Sequence, residues 1–191
     1  RHDGDVALDY SNIGTIYTAL GNYEKSLECL FTALGINEKE GLKNDITIST
    51  ANIGLAFIKS YRHDSTHKGC TYTVNGATVH VNYTDLLDSA TYYDQKSITT
   101  SNITKNRLSL VYGYKGMGEI ASLKQKHTEA ILYYRAAYNI ADSLGVLNAK
   151  MECANLLALA LIDNQQYKEG AEYLEKVLNL KDTLFSQEKE C

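Results

Sequence analysis

Apolar and small residues recur along the chain with the spacing of paired amphipathic helices. The first stretch has large, aliphatic and small residues three or four apart, at Tyr10, Ile13, Gly14 and Tyr17. A turn signal at Gly21-Asn22 follows, and a second periodic stretch has Ser26, Leu30 and Ala33 on one face. Residues three and four apart share one face of a helix. This pattern therefore predicts an antiparallel pair of helices.

The same pattern returns three more times with a regular spacing. The small residue of the first helix stands at intervals of 40, 64 and 40, at Gly14, Gly54, Gly118 and Ala158. The small residue of the second helix stands at intervals of 64, 40 and 40, at Ser26, Ala90, Ala130 and Gly170. Both series fit a 40-residue period with one insertion of 24 residues, the difference between 64 and 40. The insertion must lie after Gly54 and before Ala90.

The small residues in these positions indicate where helices cross closely. A glycine inside a helix costs about 1 kcal/mol relative to alanine, which is tolerated where a neighbouring helix must approach. Because one helix pair cannot bury both of its faces, the pairs are expected to stack into a solenoid. We predict helices near residues 5–19, 22–37, 43–61, 85–103, 105–124, 128–144, 146–163 and 166–189, with a left-handed helix end at Gly145.

These motifs resemble the tetratricopeptide repeat, whose signature is W-x2-L-G-x2-Y followed by A-x3-F. The resemblance runs from about Asp5 to Lys181. It implies an all-α, right-handed superhelical solenoid of four helix pairs, with repeats at about 5–42, 43–104, 105–145 and 146–181 and a helical extension to residue 191. The period is 40 residues instead of the family's 34, and the closing proline is absent. Asp94 occupies a normally aromatic position, so we expect Tyr92 or Tyr93 to provide the packing there.

The insertion at residues 62–84, in repeat two, carries a hairpin signal. Asn75-Gly76 separates two alternating, β-branched runs, residues 70–74 and 77–81. This is the strongest short-range signal for a two-stranded hairpin with a type I′ turn. An isolated hairpin is only marginally stable in water. We therefore expect it to pack on its own helices or on a neighbouring molecule, or to recruit a partner strand through its exposed edge. Its apolar residues are Tyr72, Val74, Val79 and Val81.

Histidines and a cysteine in or beside the insertion raise the alternative of a metal site or a metal-dependent catalytic role. The residues are His63, His67, Cys70 and His80. A zinc site needs about four nitrogen or sulfur ligands, and this spacing matches no zinc-finger pattern. The four cysteines of the chain form no C-x-x-C pair, and we expect them to be free thiols. They are Cys29, Cys70, Cys153 and Cys191.

Composition and motifs narrow the function further. The net charge of −4 argues against a broad phosphate-binding face, so no nucleic-acid partner is expected. No stretch approaches the roughly 20 apolar residues that cross a bilayer, so we expect no membrane contact by this segment. Motifs for phosphate binding, metalloproteases and nucleophilic serines are absent from the sequence, and Gly113–Gly118 lies inside a helical repeat. We therefore expect a chain that is not an enzyme and holds no cofactor.

The resemblance implies that the functional surface is the concave groove lined by the first helix of each pair. Lys115 and Glu119 are its only expected charges, and its apolar middle suits an amphipathic helix or an extended apolar segment of a partner. The groove can equally hold the chain's own N-terminal or C-terminal segment. Cochaperone relatives bind a carboxylate with Lys and Asn, and the residues in those positions here argue against such a clamp. The candidate contacts are Leu8, Ser11, Thr15, Ile48, Ala51, Leu55, Ile58, Tyr112, Lys115, Glu119, Asn155, Leu159 and Ile162, of which Ser11, Thr15, Ala51 and Leu55 occupy the clamp positions.

The charged run at residues 178–190 resembles the junction in bacterial membrane-anchored tetratricopeptide sensors. This implies the sensing or scaffolding region of a larger bacterial signalling protein, in a periplasmic or extracytoplasmic location, with a cytoplasmic location as the alternative. The lack of an initiating methionine is typical of a piece of a longer or processed protein. The run can also be a helix that caps the last repeat. A further alternative is a self-association domain, a homodimer with the hairpin and the last helix as contacts.

Overall fold

Helices and one β-hairpin follow each other along the chain in the order that the sequence predicts. The computed structural model describes residues 3–64 and 66–189, so Cys191 lies outside the described residues. Every helix begins and ends within three residues of its predicted bounds. The helices are α1 (Asp3–Ala19), α2 (Tyr23–Glu40), α3 (Lys43–His63), α4 (Leu86–Thr104), α5 (Arg107–Leu123), α6 (His127–Leu144), α7 (Leu147–Asp163) and α8 (Tyr167–Lys189). The strands are β1 (Cys70–Val74) and β2 (Ala77–Val81), and a short 3-10 turn (Tyr83–Asp85) precedes α4.

The chain folds into two compact units, Arg1–Ser109 and Leu110–Cys191. In the first unit, Leu27, Leu30 and Ile53 have no exposed surface and form part of its core. In the second unit, Leu157 and Leu161 are equally buried. These buried residues occupy the apolar positions of the repeat. In the described residues the regular structure is helical apart from the hairpin, so the fold is all-α as predicted. No helix in the described part of the chain combines the length and apolarity needed to cross a membrane.

The small residues of the repeat lie where the two helices of a pair cross. A Cβ atom on Gly14 would stand 2.7 Å from Cγ of Leu30. In the last pair, a Cβ atom on Gly170 would stand 3.2 Å from the carbonyl oxygen of Ala158. The pairs that meet through a glycine of the first helix are Gly14 with Leu30, Gly54 with Asp94, and Gly118 with Tyr134. Their second members are spaced 64 and 40 residues apart, as the repeat requires.

The aromatic packing of the second pair is supplied by Tyr93. Its ring lies 6.0 Å from the ring of Phe57 and 5.4 Å from that of Phe31. Tyr92 is 59% exposed and does not take this role. Asp94 remains buried against Gly54. Tyr93, one of the two tyrosines predicted for this role, therefore provides the aromatic packing in place of Asp94.

A polar side chain caps the start of α2, and glycines end α2 and α6. The side chain of Asn22 accepts a hydrogen bond from the backbone N–H of Lys25 at 3.2 Å and caps the start of α2. Gly41 and Gly145 follow α2 and α6 in the left-handed conformation, with φ of 67° and 68°. Glycine adopts this conformation without a steric penalty, and so it terminates the helix.

The insertion forms the predicted hairpin and packs on its own helices. Val74 pairs with Ala77, and the two turn residues Asn75 and Gly76 both have positive φ, as a type I′ turn requires. β1 contacts α2, whereas β2 is largely exposed. The ring of Tyr72 stacks on that of Phe31 with 5.0 Å between centroids. Contact with α2 therefore provides the cover that an isolated hairpin needs.

Candidate functional site

In the first unit, the inner faces of α1 and α3 lie side by side. Asn52 Nδ2 donates a hydrogen bond to Ser11 Oγ at 3.4 Å and joins the two helices. Leu8 is 60% exposed and Ile48 is 44% exposed. Ile58 is fully buried and belongs to the core of the unit. We call the surface formed by Leu8, Ser11, Thr15, Ile48, Ala51, Asn52 and Leu55 the α1–α3 seam.

A cavity of about 440 Å³ opens at one end of the α1–α3 seam. Of its lining residues, Thr15 and Leu55 were predicted as groove contacts. The rings of Tyr23 and His63 lie 5.9 Å apart at its wall, and burial raises the pKa of Tyr23. Lys59 adds a cationic side chain to the wall. The cavity is lined by Thr15, Thr18, Ala19, Leu20, Gly21, Tyr23, Asn52, Leu55, Lys59 and His63.

A second, smaller cavity of about 150 Å³ lies at the other end of the seam. Its lining includes the exposed residues Leu8 and Ile48. It also includes two buried polar residues, Asn37 and Ser49, with 2% and 1% exposure. Asn37 Nδ2 donates a hydrogen bond to Ser49 Oγ at 3.1 Å. We call this cavity the Asn37 pocket; it is lined by Gly4, Ala7, Leu8, Ser11, Asn37, Asp45, Ile48 and Ser49.

In the second unit, an ion pair joins the inner faces of α5 and α7. Lys115 Nζ lies 2.7 Å from Oε1 of Glu152 and 5.3 Å from the ring centroid of Tyr112. Glu152 is an acidic side chain that the sequence analysis did not assign. Glu119, which it did assign, is only 7% exposed and lies below the surface. We call the surface formed by Tyr112, Lys115, Glu152, Asn155, Leu159 and Ile162 the α5–α7 surface.

Two residues of these surfaces, Asn37 and Glu152, lie outside the set of groove contacts that the sequence predicts. Asn37 belongs to a second helix, at a buried position that is Ser101 and Ala141 in the next repeats. An amide among smaller residues at equivalent positions is a signal that the sequence already contained. The role of Glu152 could not be read from the sequence because it depends on the approach of α7 to Lys115.

The histidines and cysteine of the insertion have separate partners. His67 contacts the ring of Tyr83 edge-on at 4.4 Å between centroids. His80 Nδ1 lies 2.8 Å from Thr71 Oγ1. Burial raises the pKa of the Cys70 thiol to about 11, which disfavours the thiolate that binds metals. Within residues 3–64 and 66–189, no group of three or more His, Cys, Asp or Glu residues is placed to hold a metal ion.

Comparison with known proteins identifies the repeat at two positions. Residues 10–40 and 152–183 match the family model described as the tetratricopeptide repeat. The crystal structure of BtubC (BKLC) from P. vanneervenii is similar, with a TM-score of 0.71 and 13% identity across 96% of this chain. The chain spans 66% of that protein's length, and at this identity the likeness shows the fold alone. No curated protein matches.

Proposed function

We propose, from the premise that this chain carries tetratricopeptide repeats, that it is a non-catalytic module that binds a protein or peptide through its first helices. Tetratricopeptide repeats serve as protein-interaction or scaffold modules. The observation that carries the proposal is the exposure of apolar side chains on these helices. Leu8 is 60% exposed, Ile48 44% and Leu159 49%. Leu8 and Ile48 line the same cavity, and neighbouring exposed apolar residues of this kind are typical of a partner-binding surface.

The charges and cavities favour a peptide-like partner with apolar anchors. On the α5–α7 surface, Lys115 is neutralised by Glu152, and its side chain is only 14% exposed. Little charge is therefore left to select a strongly ionic ligand. The α1–α3 seam has one cavity at each end. These cavities can receive side chains of a partner's helix or extended segment.

Selection of peptides from a random phage-displayed library on the immobilised 191-residue chain tests this proposal. Each selected peptide should bind Leu8→Asp, in the first unit, or Leu159→Asp, in the second unit, at least about tenfold more weakly, because a buried contact is replaced by a charge. Leu132→Asp is the matched control, since Leu132 is 64% exposed on the second helix α6. If Leu132→Asp weakens peptide binding as much as the two test variants do, the assigned surface is wrong. It is also wrong if neither test variant weakens binding.

We further propose that the module is the sensing or scaffolding region of a larger bacterial signalling protein. The support is the resemblance of residues 178–190 to the junction of membrane-anchored sensors, together with the continuous 23-residue helix α8. The coding sequence that follows residue 191 tests this. A heptad-patterned helix followed by an apolar span of about 20 residues supports the proposal. A continuation with neither feature contradicts it.

A second candidate function is self-association. The outward-facing strand β2 and the 62% exposed Leu178 on α8 favour it. An exposed strand edge can pair with another strand, and exposed leucines bury area on association. Light scattering of the chain over a range of concentrations measures the mass. A dimer that is lost on deletion of residues 66–82 or on Leu178→Glu supports this candidate. A monomer at all concentrations contradicts it.

A further inference from the structure

The Asn37 pocket contains a buried polar atom whose hydrogen bonding is incomplete. Asn37 Oδ1 has no hydrogen-bond partner among the residues that the structure describes. The other polar atom of the amide, Nδ2, holds Ser49 Oγ at 3.1 Å. Buried side-chain polar atoms nearly always have a partner, and an unpaired one has lost its water without compensation. Asn37, which lines the pocket together with the exposed apolar residues Leu8 and Ile48, therefore has an unused acceptor.

The hydroxyl groups beside Asn37 supply the complementary function. Ser49 Oγ accepts from Asn37 Nδ2, and Ser11 Oγ accepts from Asn52 Nδ2 at 3.4 Å. Each serine hydroxyl retains its own proton, which it can donate. The residues that line the pocket thus carry one unused carbonyl acceptor and two hydroxyl donors. A ligand group that matches it carries an N–H and a carbonyl oxygen together.

The charges around the pocket disfavour an anionic ligand. Asp45 lies in the lining and in the first turn of α3, where it repels a carboxylate. An ammonium group has three donors and no acceptor, so it would leave the serine hydroxyl protons unpaired. A neutral group that carries both a donor and an acceptor meets neither penalty.

We propose that the Asn37 pocket binds the primary carboxamide of an asparagine or glutamine side chain of a bound peptide. The volume of about 150 Å³ is large enough for a carboxamide with its methylenes. The methylenes contact Ala7, Leu8 and Ile48, while the amide pairs with Asn37 and a serine hydroxyl. Because a carboxamide carries both donor and acceptor, it can pair with the Asn37 amide in either orientation. The assignment to a peptide side chain rests on the proposed function.

Titration of the full chain with propionamide, a mimic of the glutamine side chain, tests the pocket without any protein partner. Two-dimensional NMR follows the side-chain amide of Asn37 and the methyl groups of Leu8 and Ile48. We expect saturable shifts of these signals. Butanone has the same shape but no N–H, and it should bind at least about fivefold more weakly, as the loss of one hydrogen bond requires. Propionate and propylammonium test the two ionic alternatives and should also bind more weakly.

Variants separate a binding role from a structural one. Ser49→Ala removes one hydroxyl and should weaken propionamide binding about fivefold. Asn37→Leu should abolish it, while Asn139→Leu, at an exposed position of α6, should leave it unchanged. Circular dichroism establishes that each variant is folded. If Asn37→Leu does not fold, Ser49→Ala still tests the proposal.

Several outcomes would overturn the proposal. If butanone binds as tightly as propionamide, the pocket does not recognise the N–H donor. If propylammonium or propionate binds more tightly than propionamide, the pocket is an ionic site. Propionamide that leaves the Asn37 signal unmoved shows that the pocket is not a site. If library peptides still depend on Leu8 in that case, the proposed function stands while this inference fails. If propionamide binds but no peptide is selected, the pocket chemistry stands and the proposed function fails.

Discussion

A Cβ atom on Gly118 would stand 2.5 Å from Cε1 of Tyr134, where α5 crosses α6. Tyr134 is 2% exposed, so its ring has little room to move aside. The contact explains why a glycine is kept in the middle of a helix despite a cost of about 1 kcal/mol relative to alanine. The same crossing is made by Gly14 with Leu30, one member of each helix in the first pair.

Gly118→Ala should therefore destabilise the chain. The added methyl group overpacks the crossing and should lower the free energy of unfolding by about 1–3 kcal/mol, even though alanine is the better helix former. Urea unfolding followed by circular dichroism measures the change. Gly35→Ala is the control, because no atom lies within 4 Å of a Cβ added at that position in α2. It should stabilise the chain by about 0.5–1 kcal/mol. Equal stabilisation by both substitutions would show that the crossing is not tight.

The helices and the hairpin could be predicted because each depends on local chemistry. Small residues recur at fixed intervals only where helices cross, so the positions of Gly14, Gly54 and Gly118 define the pairs. The turn at Asn75-Gly76 needs two residues with positive φ, which these residues adopt readily. Both signals are contained in short stretches of sequence.

The site could be predicted only in part, because it depends on which residues of separate helices meet. Ile58 and Glu119 were assigned to the surface, yet each directly follows a packed residue, Phe57 or Gly118, and is itself buried. At about 100° per residue, positions next to the packed stripe can belong to either face. The Asn37 pocket combines residues from α1, α2 and α3, and no single periodic pattern reports such a combination.

Tyr72→Ala should release the hairpin from α2. The substitution removes a 7% exposed ring that stacks on Phe31, and it should cost about 3–5 kcal/mol of unfolding free energy. Without this contact the two strands are only marginally stable. Hydrogen exchange should show loss of protection at residues 70–81 before the helices are affected.

Val79→Ala is the companion variant for the hairpin. Val79 lies directly opposite Tyr72 in the strand register but is 37% exposed. Its truncation should cost less than about 1 kcal/mol and should leave the protection of β1 in place. Protection that survives in Tyr72→Ala would show that the hairpin is held by other contacts.

Two of the thiols should react slowly in the folded chain. Burial raises the pKa of both Cys70 and Cys153 from 9.0 to about 11. Because the thiolate is the reactive form, a rise of this size lowers its fraction about a hundredfold at pH near 8. Iodoacetamide labelling followed by peptide mass spectrometry should show both sites modified about a hundredfold faster in urea than in the folded chain. The half-buried Cys29 should react sooner than either. Rapid labelling of Cys153 in the folded chain would contradict its burial.

Asp64 should make the order of the loop before β1 depend on pH. Its carboxylate accepts hydrogen bonds from Thr66 Oγ1 at 2.7 Å and from the backbone N–H of Gly69 at 2.7 Å, which lower its pKa below the ordinary 3.8. The fold favours the charged carboxylate, so its contribution is complete above the unfolded pKa and is lost as the pH falls through the folded pKa. NMR titration of the carboxyl carbon of Asp64 should give a midpoint below 3.8, with the amides of residues 66–69 shifting together. Thr66→Ala removes the hydroxyl bond, the largest cause of the lowering, and should move the midpoint back toward 3.8, whereas Asp64→Asn should abolish the transition. A midpoint at or above 3.8 in the unmodified chain would show that these hydrogen bonds do not hold the loop.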